Sequence, residues 1–292
     1  MNSVNPPSFS LPPEQLTSTD ELRLLALRWL IEPQPERKAE GVRQLREAWL
    51  RGSIALDTEI DLVATTGAGE QYAIPGRPSR PELVPPLSVR RRAMHTVEGR
   101  AVLIHALAHI EFNAINLALD ALWRFAGMPV AYYTDWLQVA QEEAYHFSLV
   151  AAHLVTLGFE YGDFPAHNSL WEMVERTQGD VLARMALVPR TMEARGLDAT
   201  PAMRAKLAQA GDHAAAAILD IILRDEIGHV AVGNTWFGYL CRKRDLEPLT
   251  CYADLALQFR APRMRAPFNL EARRAAGFSE AELQVLLSCE AV

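Results

Sequence analysis

The sequence predicts an all-α fold built on four long helices, and three observations carry that expectation. From about Arg100 to Leu240 alanine and leucine dominate, and apolar residues recur at three- and four-residue spacing. Strand-like alternation is missing from that stretch, which is punctuated at Gly127-Met128-Pro129, Gly158, Gly196 and Gly211. The segment GFEYGDFPAHNS, starting at Gly158, is rich in turn formers and too long for a tight hairpin. It reads as one long crossover between two helical hairpins.

Each element follows from its own residues. Thr17-Ser18-Thr19-Asp20 offers N-cap candidates before the apolar-periodic run Leu22 to Ile31, a first short helix. Residues 35–51 read as an exposed amphipathic helix. From Pro75 to Pro86, PGRPSRPELVPP places five prolines in twelve residues, which forbids regular helix and suggests an extended strap on the next domain. Long helices are then expected at about 98–126, 131–157 and 170–195, the third kinked by Pro189 and ended by Gly196. Thr200-Pro201 looks like an N-cap and first-turn proline opening the fourth, which reaches about 240 with a break near Gly211. A loop and a short amphipathic helix near 279–288 close the chain. The expected layout is 1–97 for N-terminal helices and strap, 98–241 for the four-helix unit, and 242–292 for the tail.

Composition narrows the function classes. With 292 residues, one or two domains are expected, and 49% apolar with 22% charged residues is a globular balance. A net charge of −7 disfavours a broad grip on nucleic acid or an anionic membrane. Cys241, Cys251 and Cys289 show no CxxC spacing, which fits a reducing cytoplasm better than a disulfide scaffold. MNSVNPPSFSLPPEQL lacks a cationic start and an apolar core, so it does not read as a signal peptide. No uninterrupted apolar run reaches spanning length.

Chemistry is concentrated in two similar strings, Glu142-Glu143-Ala144-Tyr145-His146 and Asp225-Glu226-Ile227-Gly228-His229. Each reads acid-Glu-x-x-His, and on a helix i and i+3 share a face, so each pair can offer one carboxylate and one imidazole to a common metal. With 23 Glu and 8 His, chance gives roughly 0.6 Glu-x-x-His pairs, and a preceding acid lowers that to roughly 0.08. Two are present. Glu111 lies 32 residues before Glu143, and Glu193 lies 33 before Glu226, so the chain carries the pattern twice. In the first hairpin Glu111 and Glu143 both fall about 21–24 Å from the turn at Gly127-Pro129. In the second, Glu193 sits only three residues before Gly196, so 197–211 must return along the bundle; otherwise Glu175 is the fallback.

The candidate metal ligands are therefore Glu111, Glu143, His146, Glu193, Glu226 and His229. Carboxylates that bridge, with neutral imidazole, suit two iron ions, and also manganese or a mixed manganese–iron pair. Glu142 and Asp225 are expected to orient the histidine of the opposite motif. Tyr145 reads either as a redox neighbour or as a core residue. His105 and His109 read as structural, and His153 as packed or as lining an access path. Trp123, Trp136, Trp171 and Trp236 read as packing. Arg90-Arg91-Arg92 with Arg260, Arg263, Arg265, Arg273 and Arg274 read as a solvated face, with a nucleic-acid or phosphate patch the alternative.

The Glu…Glu-x-x-His…Glu…Glu-x-x-His set resembles the ferritin-like diiron-carboxylate superfamily. The strings PGRPSRPELVPP, HALAHIEFNAINLALDALWRF, QEEAYHFSLV, LGFEYGDFPAHNSLW, RMALVPRTMEARGLD, RDEIGHVAVGNTWF and APFNLEARRAAGF are similar to the bacterial family called domain of unknown function 455, over about 75–278. The resemblance implies a ferritin-like four-helix bundle with an N-terminal helical and proline-rich extension and a short C-terminal helical tail. It implies no substrate. Relatives in the superfamily include ferritins, rubrerythrins, oxygenases and a tRNA-modifying hydroxylase. One departure is Tyr145, where many diiron motifs have arginine before the histidine.

The leading expectation is a diiron oxidase or monooxygenase that uses O2, an external electron donor and an unidentified small-molecule substrate. The alternative is a ferroxidase or peroxide-scavenging iron handler without organic substrate, and a third is a non-catalytic, metal-stabilised bundle. No membrane partner is expected. Nucleic acid is disfavoured, with tRNA left open, and a homodimer is compatible with the sequence.

Overall fold

A computed structural model of the chain describes residues 21–67, 72–88 and 93–288. Among these, regular structure is helical, with isolated bridges pairing Glu21 with Ala55 and Leu83 with Ala166. The N-cap candidates Thr17–Asp20, the triplet Arg90–Arg92 and Cys289 lie outside the described residues. Helix α1 (Leu22–Leu30) is capped by Glu21, whose carboxylate accepts from the Leu24 N–H at 2.8 Å.

Helix α2 (Pro35–Leu50) is not simply exposed, as its polar composition suggests. Val42, Leu45 and Ala48 are fully buried, and so is Lys38. The Lys38 ammonium donates to Leu30 O at 3.1 Å, to Gly76 O at 3.0 Å and to Asn116 Oδ1, with the Phe112 ring 4.8 Å away. Three acceptors and an aromatic face compensate a charge that is otherwise costly to bury. After the short helix α3 (Leu62–Thr66), the proline-rich strap pairs with the crossover: Val84 N–H donates to Ala166 O at 2.8 Å, and Ala166 N–H to Glu82 O at 2.9 Å.

Helices α4 (Val97–Arg124) and α5 (Val130–Thr156) form the first long hairpin. Thr96 caps α4 by accepting from Gly99 N–H, and Arg23 closes its other end by donating to Leu122 O and Trp123 O. By length and hydropathy α4 could cross a membrane, but 78% of its most apolar window is buried inside the protein, which marks a core helix. Behind α4, Asp120 is fully buried between Arg124 (2.6 Å) and Arg184 (2.5 Å).

The expected third and fourth helices have different boundaries. The chain forms α6 (Ser169–Arg176), α7 (Val181–Leu187), a π-helical turn over Val188–Glu193, and α8 (Ala194–Gln209), before α9 (His213–Lys243). Gly196 does not end a helix, and Pro201 lies inside α8 instead of opening the next one. A proline at 201 leaves the carbonyl of Leu197 without its helical partner. Asn269 supplies one, donating from Nδ2 at 3.2 Å. The reversal falls at Gly211, whose φ of 82° is left-handed, and Asp212 then caps α9 by accepting from Ala215 N–H. Glu193 is 18 residues before Gly211 and Glu226 is 15 after it, so both lie about 22–27 Å from the turn.

The tail adds α10 (Pro248–Gln258), α11 (Leu270–Ala275) and α12 (Glu280–Ser288), of which only the last was expected. Arg273 is not part of a solvated face: it is 1% exposed and pairs with Asp198 at 2.6 Å. Trp123, Trp136, Trp171 and Trp236 are buried in the core, and Cys241 and Cys251 are buried free thiols.

Candidate metal centre

Four elements converge on one buried point. Glu111 comes from α4, Glu143 and His146 from α5, Glu193 from the end of the π turn, and Glu226 and His229 from α9. None of the six is more than 8% exposed. One ligand atom each from Glu111, Glu143, His146 and Glu226 lie within 4.8 Å of one another, so this group can hold a metal ion. His146 Nδ1 is 3.2 Å from Glu143 Oε2 and 3.5 Å from Glu111 Oε2. His229 Nδ1 is 3.0 Å from Glu143 Oε1 and 3.8 Å from Glu226 Oε2. The two imidazole centroids are 5.7 Å apart. Glu193 stands outside that tightest group, near enough for its charge to act on Glu226.

The far side of each imidazole is held. His146 Nε2 meets Asp225 Oδ2 at 3.1 Å, and His229 Nε2 meets Glu142 Oε2 at 2.8 Å. Each histidine is thus tied to the acid that precedes the other motif, so both Nδ1 atoms face the carboxylates. Behind these acids stand two residues the sequence reading passed over. Arg224 donates to Asp225 at 2.8 and 3.0 Å, and Gln138 donates to Glu142 at 3.0 Å. The i,i+4 spacing of Gln138 and Glu142 on α5 is the signal that could have found one of them.

Both oxygens of Glu193 lack a hydrogen-bond partner, and Glu111 Oε2, Glu143 Oε1, Glu226 Oε2 and His229 Nδ1 have only ion-pair contacts, at 3.0–3.8 Å, without hydrogen-bond geometry. Unmatched buried acceptors cost about 1–3 kcal/mol each, more when charged, unless something compensates them. A cation would. Oxygen and imidazole donors, converging with their outer atoms already bonded, form a donor set that suits divalent metals.

Other candidates lie elsewhere. Tyr145 is 47% exposed, so it is not a core residue; it lines an outer cavity of about 550 Å³ between α2 and α5, beside Glu36, Arg43 and Ser148, with its ring centroid 6.4 Å from that of His146. Glu175 is exposed and accepts from Trp171 Nε1 at 2.9 Å, so it is no substitute for Glu193. His105 Nε2 accepts from Gly162 N–H at 2.9 Å, and His109 contacts Tyr161 Oη at 2.8 Å; both brace the crossover. His153 pairs with Asp212 at 3.0 Å. Arg274 pairs with Glu280 at the surface.

A family model described as protein of unknown function (DUF455) matches residues 31–284. The chain belongs to that family. It is also 52% identical over 220 residues to an uncharacterized protein of Haemophilus influenzae, covering 73% of this chain and 76% of that one. No solved structure matches.

In this DUF455 chain burial and mutual charge pull the cluster's titrating groups in opposite directions. Burial pushes the Glu111 carboxyl up to about 7 and the Glu193 carboxyl up to about 8, with Glu143 adding to both. Burial likewise raises Glu226 well above the carboxylate range. Burial disfavours the charged forms of Glu143 and both histidines too, but there the ion pairs prevail. His229 and His146 hold Glu143 low, Glu111 and Glu143 raise His146 to about 11, and Glu143 with Glu142 raises His229 well above its ordinary value. Protons on the imidazoles and on some carboxyls occupy the role that metal charge would take.

Proposed function

We propose that this protein is a ferritin-like dimetal-carboxylate bundle whose centre holds two iron ions and acts as an O2-dependent oxidase or monooxygenase. The observation that carries the reading is the buried set of carboxylate oxygens, several without a hydrogen bond, gathered around two imidazole nitrogens and drawn from four helical segments. Four carboxylates balance two divalent ions in charge, which accounts for a cluster too acidic to bury alone.

Glu111, Glu143, His146, Glu193, Glu226 and His229 would hold the ions. When bound, the pair would supply the redox chemistry that consumes O2 and oxidises a small-molecule substrate, with electrons from an external donor. The chain's own contribution is geometry and shielding. Asp225 and Glu142 fix the ring orientation of the histidines through Nε2, so that Nδ1 is the nitrogen each would offer to an ion. Cytoplasmic residence is part of the same proposal, since ferrous iron and free thiols both require a reducing compartment.

Metal analysis of protein purified without a chelating tag, followed by anaerobic Fe(II) loading and stopped-flow mixing with O2, tests the reading. The expected result is about two metals per chain and O2 consumption that the Glu143→Ala variant loses. Less than one metal per chain, or iron inert to O2, would refute it.

A further inference from the structure

Glu193 sits on a segment whose grip on the rest of the protein comes from residues that never reach the cluster. A π turn lacks the regular ladder of an α-helix, so its orientation depends on outside contacts. Here they are strong. Arg190, one turn before Glu193, is 4% exposed; its Nε donates to Asn234 Oδ1 at 2.5 Å, and its Nη2 pairs with Glu282 of α12. Its guanidinium carbon lies 4.2 Å from the centroid of Phe237 and 5.2 Å from those of Tyr252 and Phe278. Glu282 is itself fixed, accepting from Ser279 N–H at 2.7 Å and Ser279 Oγ at 2.8 Å.

The same C-terminal segment grips the turn after Glu193. Arg273 pairs with Asp198 at 2.6 Å and donates to Ala194 O at 3.3 Å, while Asn269 donates to Leu197 O. On the helix side, Gly233 of α9 leaves room for Pro189: a Cβ there would stand 2.5 Å from the proline ring. Residues 269–282 therefore clamp the chain on both sides of a carboxylate that has no hydrogen bond of its own.

We propose that Arg190, held by Glu282 and Asn234, is a positioning residue that aims Glu193 into the metal centre, so that the C-terminal segment governs whether the fourth carboxylate reaches the ions. Arg190 contacts neither ligand nor metal position; it acts through the backbone of the π turn. The inference rests on the metal-centre reading above.

The test uses the full chain and cobalt(II) as the probe, with affinity read by calorimetry and coordination read from the visible absorption of the bound ion. Glu282→Gln and Asn234→Ala should each weaken cobalt binding about tenfold or more and shift the absorption in the direction that Glu193→Gln shifts it. Glu280→Gln, which breaks only the surface pair with Arg274, should match wild type. If Glu282→Gln and Asn234→Ala lower the melting temperature but keep wild-type affinity and spectrum, the clamp is merely structural and the inference is overturned. A wild type that takes up no cobalt refutes the metal-centre reading itself, and this inference with it.

Discussion

Loading the metal-free protein with a divalent ion probes the centre most directly. At a free ion concentration about a thousandfold above Kd, binding only to the folded state adds about 4 kcal/mol of stability. At about 2–4 °C per kcal/mol for a chain of this size, the melting temperature should rise by roughly 8–16 °C. Without an added ion, ion pairs that outweigh burial favour the protonated forms of His146 and His229, and burial favours the protonated carboxyls of Glu226 and Glu193. Ligation requires neutral imidazole and ionised carboxylate, so protons should leave the chain as the ion binds. The sign follows: metal affinity, and the stability it confers, rises with pH and fades as the solution becomes acidic. Differential scanning calorimetry gives the thermal shift, and titration calorimetry in two buffers of different ionisation enthalpy counts the protons. A shift under about 2 °C with no proton release would refute the reasoning, as would an undiminished shift in His146→Ala.

Three further outcomes can be checked independently. Arg184→Met leaves Asp120 buried with Arg124 alone and should cost about 3–5 kcal/mol in urea unfolding, much of it recovered in the double variant with Asp120→Asn; equal losses in single and double variants would contradict the buried-pair account. His105, pushed down to about 4 chiefly by burial, has a folded value below its unfolded one, so the unfolded chain takes up protons first and stability is lost as pH falls from about 6.5 towards 4. Between pH 8 and 5 that loss is about 2 kcal/mol, and urea titrations of His105→Gln should lack it; an unchanged acid slope would count against the buried neutral imidazole. Asp225→Asn should weaken metal binding about tenfold through the orientation of His146 while leaving far-UV circular dichroism intact, and unaltered affinity would remove Asp225 from the centre's design.

What could be read from the residues alone, and what could not, divides along the range of the interactions. The first long hairpin is locally written: Thr96 caps it, and Gly127 with Pro129 ends one helix and starts the next. The candidate site is legible for the same reason, because i,i+3 pairs on a helix need no tertiary information to share a face. The third helix misleads because its signals are answered from far away in sequence. Pro201 looks like a helix start only while the carbonyl of Leu197 lacks a partner, and that partner is Asn269, a residue of the tail. Gly196 looks like a stop, yet the turn waits for Gly211, where φ becomes positive. Placing the reversal there removes the difficulty over Glu193, since 197–209 then continue away from the site rather than returning past it. A proline inside a helix is therefore a weak stop signal whenever another segment can supply the missing hydrogen bond. In this fold that segment is the C-terminal tail, whose own helices α10 and α11 the sequence leaves as loop.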